Sequence, residues 1–178
     1  VTITSSTTGV CTVSGATLTM VANGTCTLTA AQAGNSNYEA ATSVTNTITI
    51  AKRPITITAT SATKEYGASD SAFAYSITSG SLVSGDALSG ALSRTSGENV
   101  GTYAMTIGNL DNSKYDITFV SANLSITQRP ITVTAGTKTK QYGDSDPAFT
   151  WSVTTGSLVG SDTLSGSLTR VSGTNVGT

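Results

Sequence analysis

Histidine is absent from this chain of 178 residues. The usual general bases and nucleophilic triads are therefore missing, and nothing in the sequence calls for an enzyme or a cofactor. No glycine-rich phosphate loop follows a strand and opens a helix. Cysteine occurs twice, at Cys11 and Cys26, and two thiols without histidine cannot build the usual four-ligand zinc site. Charge is scarce: 11% of residues, with a formal net charge of −1, against about 25% charged in an ordinary soluble protein. That leaves no basic patch for nucleic acid and no polybasic run for anionic lipid. No apolar run approaches the roughly 20 residues of a membrane helix. Proline appears only three times, and its positions prove informative.

What the chain has in quantity is serine and threonine, about a third of all residues. Threonine is favoured in strands and disfavoured in helix interiors. An apolar fraction of 37% suits small β domains that bury one face of each strand. The dominant sequence period is two. Ile55, Ile57 and Ala59 alternate with Thr56, Thr58 and Thr60, and Ile131, Val133 and Ala135 repeat the pattern. Tyr103, Met105 and Ile107 alternate, as do Tyr115, Ile117 and Phe119. Such runs predict half-buried strands with threonine facing water. One short helical turn is expected after Asp70 or Asp146, since aspartate is a good N-cap and Pro147 would occupy the first helical position.

A longer period overlies the short one. Residues 53–102 align without a gap with residues 129–178, 76 positions later. Arg53-Pro54-Ile55-Thr56 matches Arg129-Pro130-Ile131-Thr132, Tyr66-Gly67 matches Tyr142-Gly143, and Asn99-Val100-Gly101-Thr102 matches Asn175-Val176-Gly177-Thr178. Self-similarity of this kind marks an array of one module. It divides the chain into residues 1–52, a complete unit at 53–128, and a second unit, 129–178, that lacks counterparts of Tyr103 to Gln128. The expected reason is that the sequence is a window on a longer chain; the alternative is that another molecule supplies the missing strands. In residues 1–52, strands are expected near Val10–Val13, Leu18–Val21 and Cys26–Ala30, with Asn23-Gly24 as a tight turn. Cys11 and Cys26 are expected to form a disulfide, since the pair is local and the composition looks extracellular; two small buried thiols are the alternative. Ile48 and Ile50 run almost directly into Ile55 and Ile57, and Ile126 into Ile131, with a proline at each junction. Proline fixes its own φ and biases the preceding residue to extended geometry. The last strand of each unit should thus feed the first strand of the next, giving a stiff linear array.

The motifs Lys64-x-Tyr66-Gly67-x-x-Asp70, Gly85-Asp86, Gly90-x-Leu92-x-Arg94, Gly97-x-Asn99-Val100-Gly101-Thr102-Tyr103 and Tyr115-x-Ile117-x-Phe119 resemble the MBG domain, YGX type. The second copy carries Lys140, Tyr142-Gly143, Asp146, Asp162, Gly166-x-Leu168-x-Arg170 and Asn175-Val176-Gly177. Residues 1–52 are similar to the C-terminal half of the bacterial Ig-like domains that often precede such arrays. The resemblance implies an all-β chain, an Ig-like β-sandwich portion followed by β-grasp-like repeats. It also implies a place in large bacterial surface or secreted proteins, and it brings no catalytic residues.

Few side chains suggest chemistry. Asp144 and Asp146 are candidate calcium ligands, but calcium wants six to eight oxygens, and Asp144 is Ala68 in the first copy. The blander reading gives such aspartates to turns and caps. Arg94 and Arg170 are either carboxylate-binding forks or members of ion pairs within the module. Tyr75 and Trp151 occupy equivalent positions and either stack on sugars or fill the core. Lys64 is a remote candidate for an amide crosslink to a neighbouring Asn or Asp. The expected function is a stalk or filament segment of a surface adhesin, with neighbouring repeats as partners. The alternatives are a glycan-binding module working by avidity and a strand-exchanging filament subunit.

Overall fold

The computed structural model describes residues 1–173. All regular structure among them is β, in fourteen strands. They are β1 (Thr2–Ser5), β2 (Cys11–Ser14), β3 (Thr17–Met20), β4 (Gly24–Gln32), β5 (Ala41–Ile50), β6 (Arg53–Ala59) and β7 (Ala62–Glu65). Then come β8 (Tyr75–Ser79), β9 (Ser93–Arg94), β10 (Gly101–Thr106), β11 (Tyr115–Val120), β12 (Asn123–Thr127), β13 (Thr132–Ala135) and β14 (Trp151–Thr155). The alternating Ile/Thr and Val/Thr segments all become strands, as a period of two requires. Asn175-Val176-Gly177-Thr178, part of the repeat match, lies outside the described residues.

The chain forms two compact units. The first comprises residues 1–60, 72–94 and 105–122. It opens with the sheet β1-β4-β5, antiparallel throughout, beside a ribbon of β2 and β3. The ribbon turns at Gly15, whose φ of 60° is open to glycine at little cost. Asn23-Gly24, expected as the hairpin turn, instead leads into β4: β3 pairs back onto β2 while β4 joins a different sheet. A disulfide links Cys11 on β2 to Cys26 on β4, with Cα atoms 5.6 Å apart. Two residues separate β5 from β6. β6 is the middle strand of the sheet β11-β6-β8, parallel to β11 and antiparallel to β8. A parallel neighbour needs a long crossover, and here the chain between β6 and β11 supplies it. Ile55, Ile57, Ala59, Leu92, Met105, Leu110 and Tyr115 form the core of this part.

The second unit comprises residues 61–71, 95–104 and 123 onward. In it β12 lies between β7, to which it is parallel, and residues 101–104 of β10, antiparallel. Leu124 and Ile126 are buried there. The repeat then begins again with β13 and β14, and the agreement with β6 and β8 reaches individual bonds. Thr56 pairs with Ser79, Ile57 with Ile77 and Ala59 with Tyr75. Correspondingly, Thr132 pairs with Thr155, Val133 with Val153 and Ala135 with Trp151, with the register shift at the same step. The Thr58–Thr78 hydroxyl bond of 2.8 Å recurs as Thr134–Thr154 at 2.9 Å. Gly80 and Gly156 each bring their α-carbon so close to a proline carbonyl, Pro54 or Pro130, that a Cβ would lie 2.6 Å from it.

The helical turn expected after Asp70 or Asp146 is not formed. Both carboxylates are taken by cations, Asp70 by Lys64 and Asp146 by Lys140 and Arg170, so neither caps a helix.

Candidate functional site

Recurring residues anchor small polar clusters in each unit. In the first unit, the loop after β8 turns at Gly85 and presents Asp86. Its carboxylate accepts hydrogen bonds from Lys114 Nζ at 2.8 Å and from the Tyr115 hydroxyl at 2.8 Å. The Val83 amide donates in turn to the Tyr115 oxygen at 2.7 Å. The Lys114 ammonium, then the Tyr115 hydroxyl, holds the Asp86 carboxyl below the usual carboxylate range. The cluster ties the loop to the start of β11, and Tyr115, 2% exposed, anchors it in the core.

In the second unit, Lys64 on β7 points to Asp70 and Glu98, each 2.6 Å away. The bond to Asp70, then that to Glu98, raises the lysine pKa. The amine is thus kept as an ammonium, the opposite of the neutral nucleophile an amide crosslink requires. Nearby, the Tyr103 hydroxyl donates to the Asn99 carbonyl at 2.8 Å, and the Tyr103 ring lies against Gly97 closely enough to leave no room for a Cβ. This accounts for the Gly97-x-Asn99 and Tyr103 elements of the motif as one folded corner.

The second copy shows the same lysine–aspartate pair, Lys140 to Asp146 at 2.6 Å. Arg170 adds a fork, Nε at 2.7 Å and Nη2 at 3.1 Å from the two oxygens of Asp146. Arg170 also donates to the carbonyls of Val171 and Gly173. Its role is therefore that of an ion pair inside the repeat. Asp144 contributes its carbonyl to Lys140. A calcium ion at Asp146 would have to displace two cations, and no group of three or more potential metal ligands occurs among the described residues.

These geometries set a pH dependence. Arg170, then Lys140, lowers the Asp146 pKa to about 2. A carboxylate depressed on folding adds stability that is complete above its unfolded pKa of about 3.9 and is lost as pH falls toward the folded value. The corner holding Lys140, Asp146 and Arg170 should loosen as pH drops from about 4 to about 2. The Arg170 Nε–H resonance should follow that titration, and Asp146→Asn should show the loosened state already at neutral pH. A midpoint near 4 would mean that the pair is not formed.

The aromatic candidates sit at the starts of equivalent strands. Tyr75 is 37% exposed and Trp151 42%, so neither is core. Trp151 borders a shallow hollow with Val133, Leu164 and Leu168.

Neighbouring contacts, not evident from the sequence, join the two copies of the repeat. Within the second unit, Tyr66 and Asp162 border one cleft, and the nearby Asp162 carboxylate raises the tyrosine pKa. Beside it, Val159 packs against the bare α-carbon of Gly67, so closely that a Cβ there would collide with its methyl groups. The recurrence of Tyr-Gly and Val-x-x-Asp at a fixed spacing was the available signal.

Residues 55–125 and 131–178 match the family described as MBG domain (YGX type). The matches cover more than half of the chain, which belongs to that family as a tandem of its repeats. No curated protein and no solved structure matches the chain.

Proposed function

We propose that this segment is a structural stalk or filament repeat of a large bacterial cell-surface or secreted adhesin, holding a distal binding region away from the cell. On this reading residues 1–52 are the C-terminal part of an Ig-like domain, residues 53–128 a complete repeat and residues 129–178 the start of the next. Its partners are neighbouring repeats. The observation that carries the reading is the bond-for-bond recurrence of the β6–β8 register in β13–β14, with no flexible linker before either copy. A unit that repeats a register and abuts its neighbour works by being counted. The recurring polar side chains form ion pairs and corners inside the module, which fits a structural rather than an enzymatic role. Among the described residues no helix is long and apolar enough to cross a membrane.

Chains with increasing numbers of complete repeats test this by small-angle scattering. The maximum dimension should grow linearly, by roughly 30–40 Å per repeat, as a domain of this size predicts. A dimension that grows only as the cube root of mass would refute the stalk. A second reading, glycan binding by avidity, draws on the exposure of Tyr75 and Trp151. Glycan-array binding by a two-repeat chain, abolished by Trp151→Ala, would favour it.

A further inference from the structure

The loop that carries Val-x-x-Asp occurs twice, and each time it borders what precedes its repeat. In the first unit Arg53, Val83 and Asp86 border a cleft opposite Met20, Val21 and Ile50. In the second unit their equivalents Arg129, Val159 and Asp162 border a cleft with Tyr66, Val100 and Gln128. There the fit has two specific parts. Val159 occupies the space that a side chain on Gly67 would need, and Asp162 shares the cleft wall with Tyr66. The tyrosine sets a hydroxyl donor on the same cleft as a carboxylate, a pairing of the charge-assisted kind. The glycine supplies bare backbone against which a valine packs.

The same Tyr-Gly turn recurs at Tyr142-Gly143 in the same backbone conformation: φ is 81° at Gly67 and 94° at Gly143. Positive φ alone would account for glycine at both. Yet a Cβ on Gly143 would meet nothing within 4 Å, and Tyr142 is 77% exposed where Tyr66 is half-buried. One turn is filled and its twin is open.

We propose that the Tyr142-Gly143 turn is a docking site for a further copy of this repeat, which seats its Val-x-x-Asp loop there as Val159 and Asp162 seat on Tyr66 and Gly67. The plug is a valine, two small residues and an aspartate, Val83-Ser84-Gly85-Asp86 in one copy and Val159-Gly160-Ser161-Asp162 in the other. The Tyr-Gly pair is then the joint between modules. This deepens the stalk reading and rests on it, since a stalk supplies the further copy.

The 76-residue spacing allows a seamless test: residues 103–178 are appended again after Thr178, and tyrosine accessibility is read by covalent footprinting and mass spectrometry. Tyr142 should slow to the rate of Tyr66, and serine at the new copy of Val159 should restore its reactivity. Tyr142 as reactive as in the 178-residue chain, while the amides of Ile131 and Val133 gain protection from exchange, would overturn the joint. A chain that lengthens with each repeat while Tyr142 stays reactive would keep the stalk and remove the joint. The 178-residue chain gives an independent reading should the extension fail to fold. Val159→Ser should raise Tyr66 to the rate of Tyr142, with Val83→Ser as the control that leaves it unchanged. A Tyr66 rate indifferent to Val159→Ser overturns the proposal.

Discussion

Reduction of the Cys11–Cys26 bond should unfold residues 1–50 ahead of the rest of the chain. In that segment the only fully buried apolar side chains are the two half-cystines, each 0% exposed. The bond is therefore both crosslink and core. It fastens the β2–β3 ribbon to β4, the central strand of its sheet. What else joins them runs through residues 5–7: the Cys11 amide donates to the Thr7 carbonyl at 3.0 Å and Cys11 Sγ lies 3.2 Å from the Ser5 hydroxyl, while the Ser6 amide donates to the Thr27 carbonyl at 3.1 Å and the Thr27 amide to the Thr7 hydroxyl at 2.8 Å. Closing a loop of this length is worth about 3 kcal/mol in the chain-entropy model, a large share of the about 5–15 kcal/mol that holds an ordinary domain together. Hydrogen exchange with and without a phosphine reductant reads the outcome. Amides of β4 and β5 should lose protection on reduction, while those of β6 keep theirs. Strong residual protection in β4 of the reduced protein would show that the hydrogen-bonded sheet suffices without the bond.

Ile57→Ala should cost about 2–5 kcal/mol, the range for emptying a packed aliphatic site, while Val133→Ala, at the same position of the next copy, should stay within about 0.5 kcal/mol. The two residues share a sequence pattern and a strand register. Their surroundings differ. Ile57 lies on a central strand between Phe119 and Ile77 and is 0% exposed. Val133 has one cross-strand partner among the described residues, Val153, and is 41% exposed. Truncating Ile57 leaves a cavity bounded on both sides; truncating Val133 removes methyl groups already partly in water. Urea denaturation of both variants gives the comparison. Equal losses would mean that the second copy is packed as tightly as the first.

That contrast marks what the sequence can reveal here. Alternation in Ile55-Thr56-Ile57-Thr58-Ala59 is enough to place a strand and choose its inner face, because side chains on a strand alternate. It does not by itself name the strand that lies alongside: Ile57 is flanked by Phe119 of β11, and the second copy has no counterpart of that strand within the 178 residues. The repeat spacing was equally plain, and with it the equivalence of Lys64 with Lys140 and Asp70 with Asp146. The pairing of those residues is not visible in the sequence, where Asp70 and Asp146 fit caps and turns equally well. Each carboxylate is held by a nearby cation, Asp70 by Lys64 on β7 and Asp146 by Lys140 and Arg170, in place of a helix amide. Lys64–Glu98 and Lys114–Asp86 join residues far apart in sequence, where no local period exists to reveal them. Asn23-Gly24 misled for a related reason. Its composition suits a tight hairpin, but Gly24 opens β4, and β4 pairs with β1 and β5. Tyr66 and Gly67 stood out by recurrence alone; their contact with Val159 and Asp162 needed the folded chain.

The paired hydroxyls across the outer faces, Thr29 with Thr45, Thr58 with Thr78 and Thr134 with Thr154, carry a further consequence. Most soluble proteins keep apart by charge, and charge repulsion shrinks with the Debye length, from about 30 Å in dilute salt to about 3 Å at 1 M. A surface wetted by hydroxyl groups has no such length. Its hydration is held by neutral dipoles that neither salt nor ordinary pH changes can screen or titrate. Copies laid side by side should therefore change little in association between dilute and physiological salt, the range over which charge screening acts.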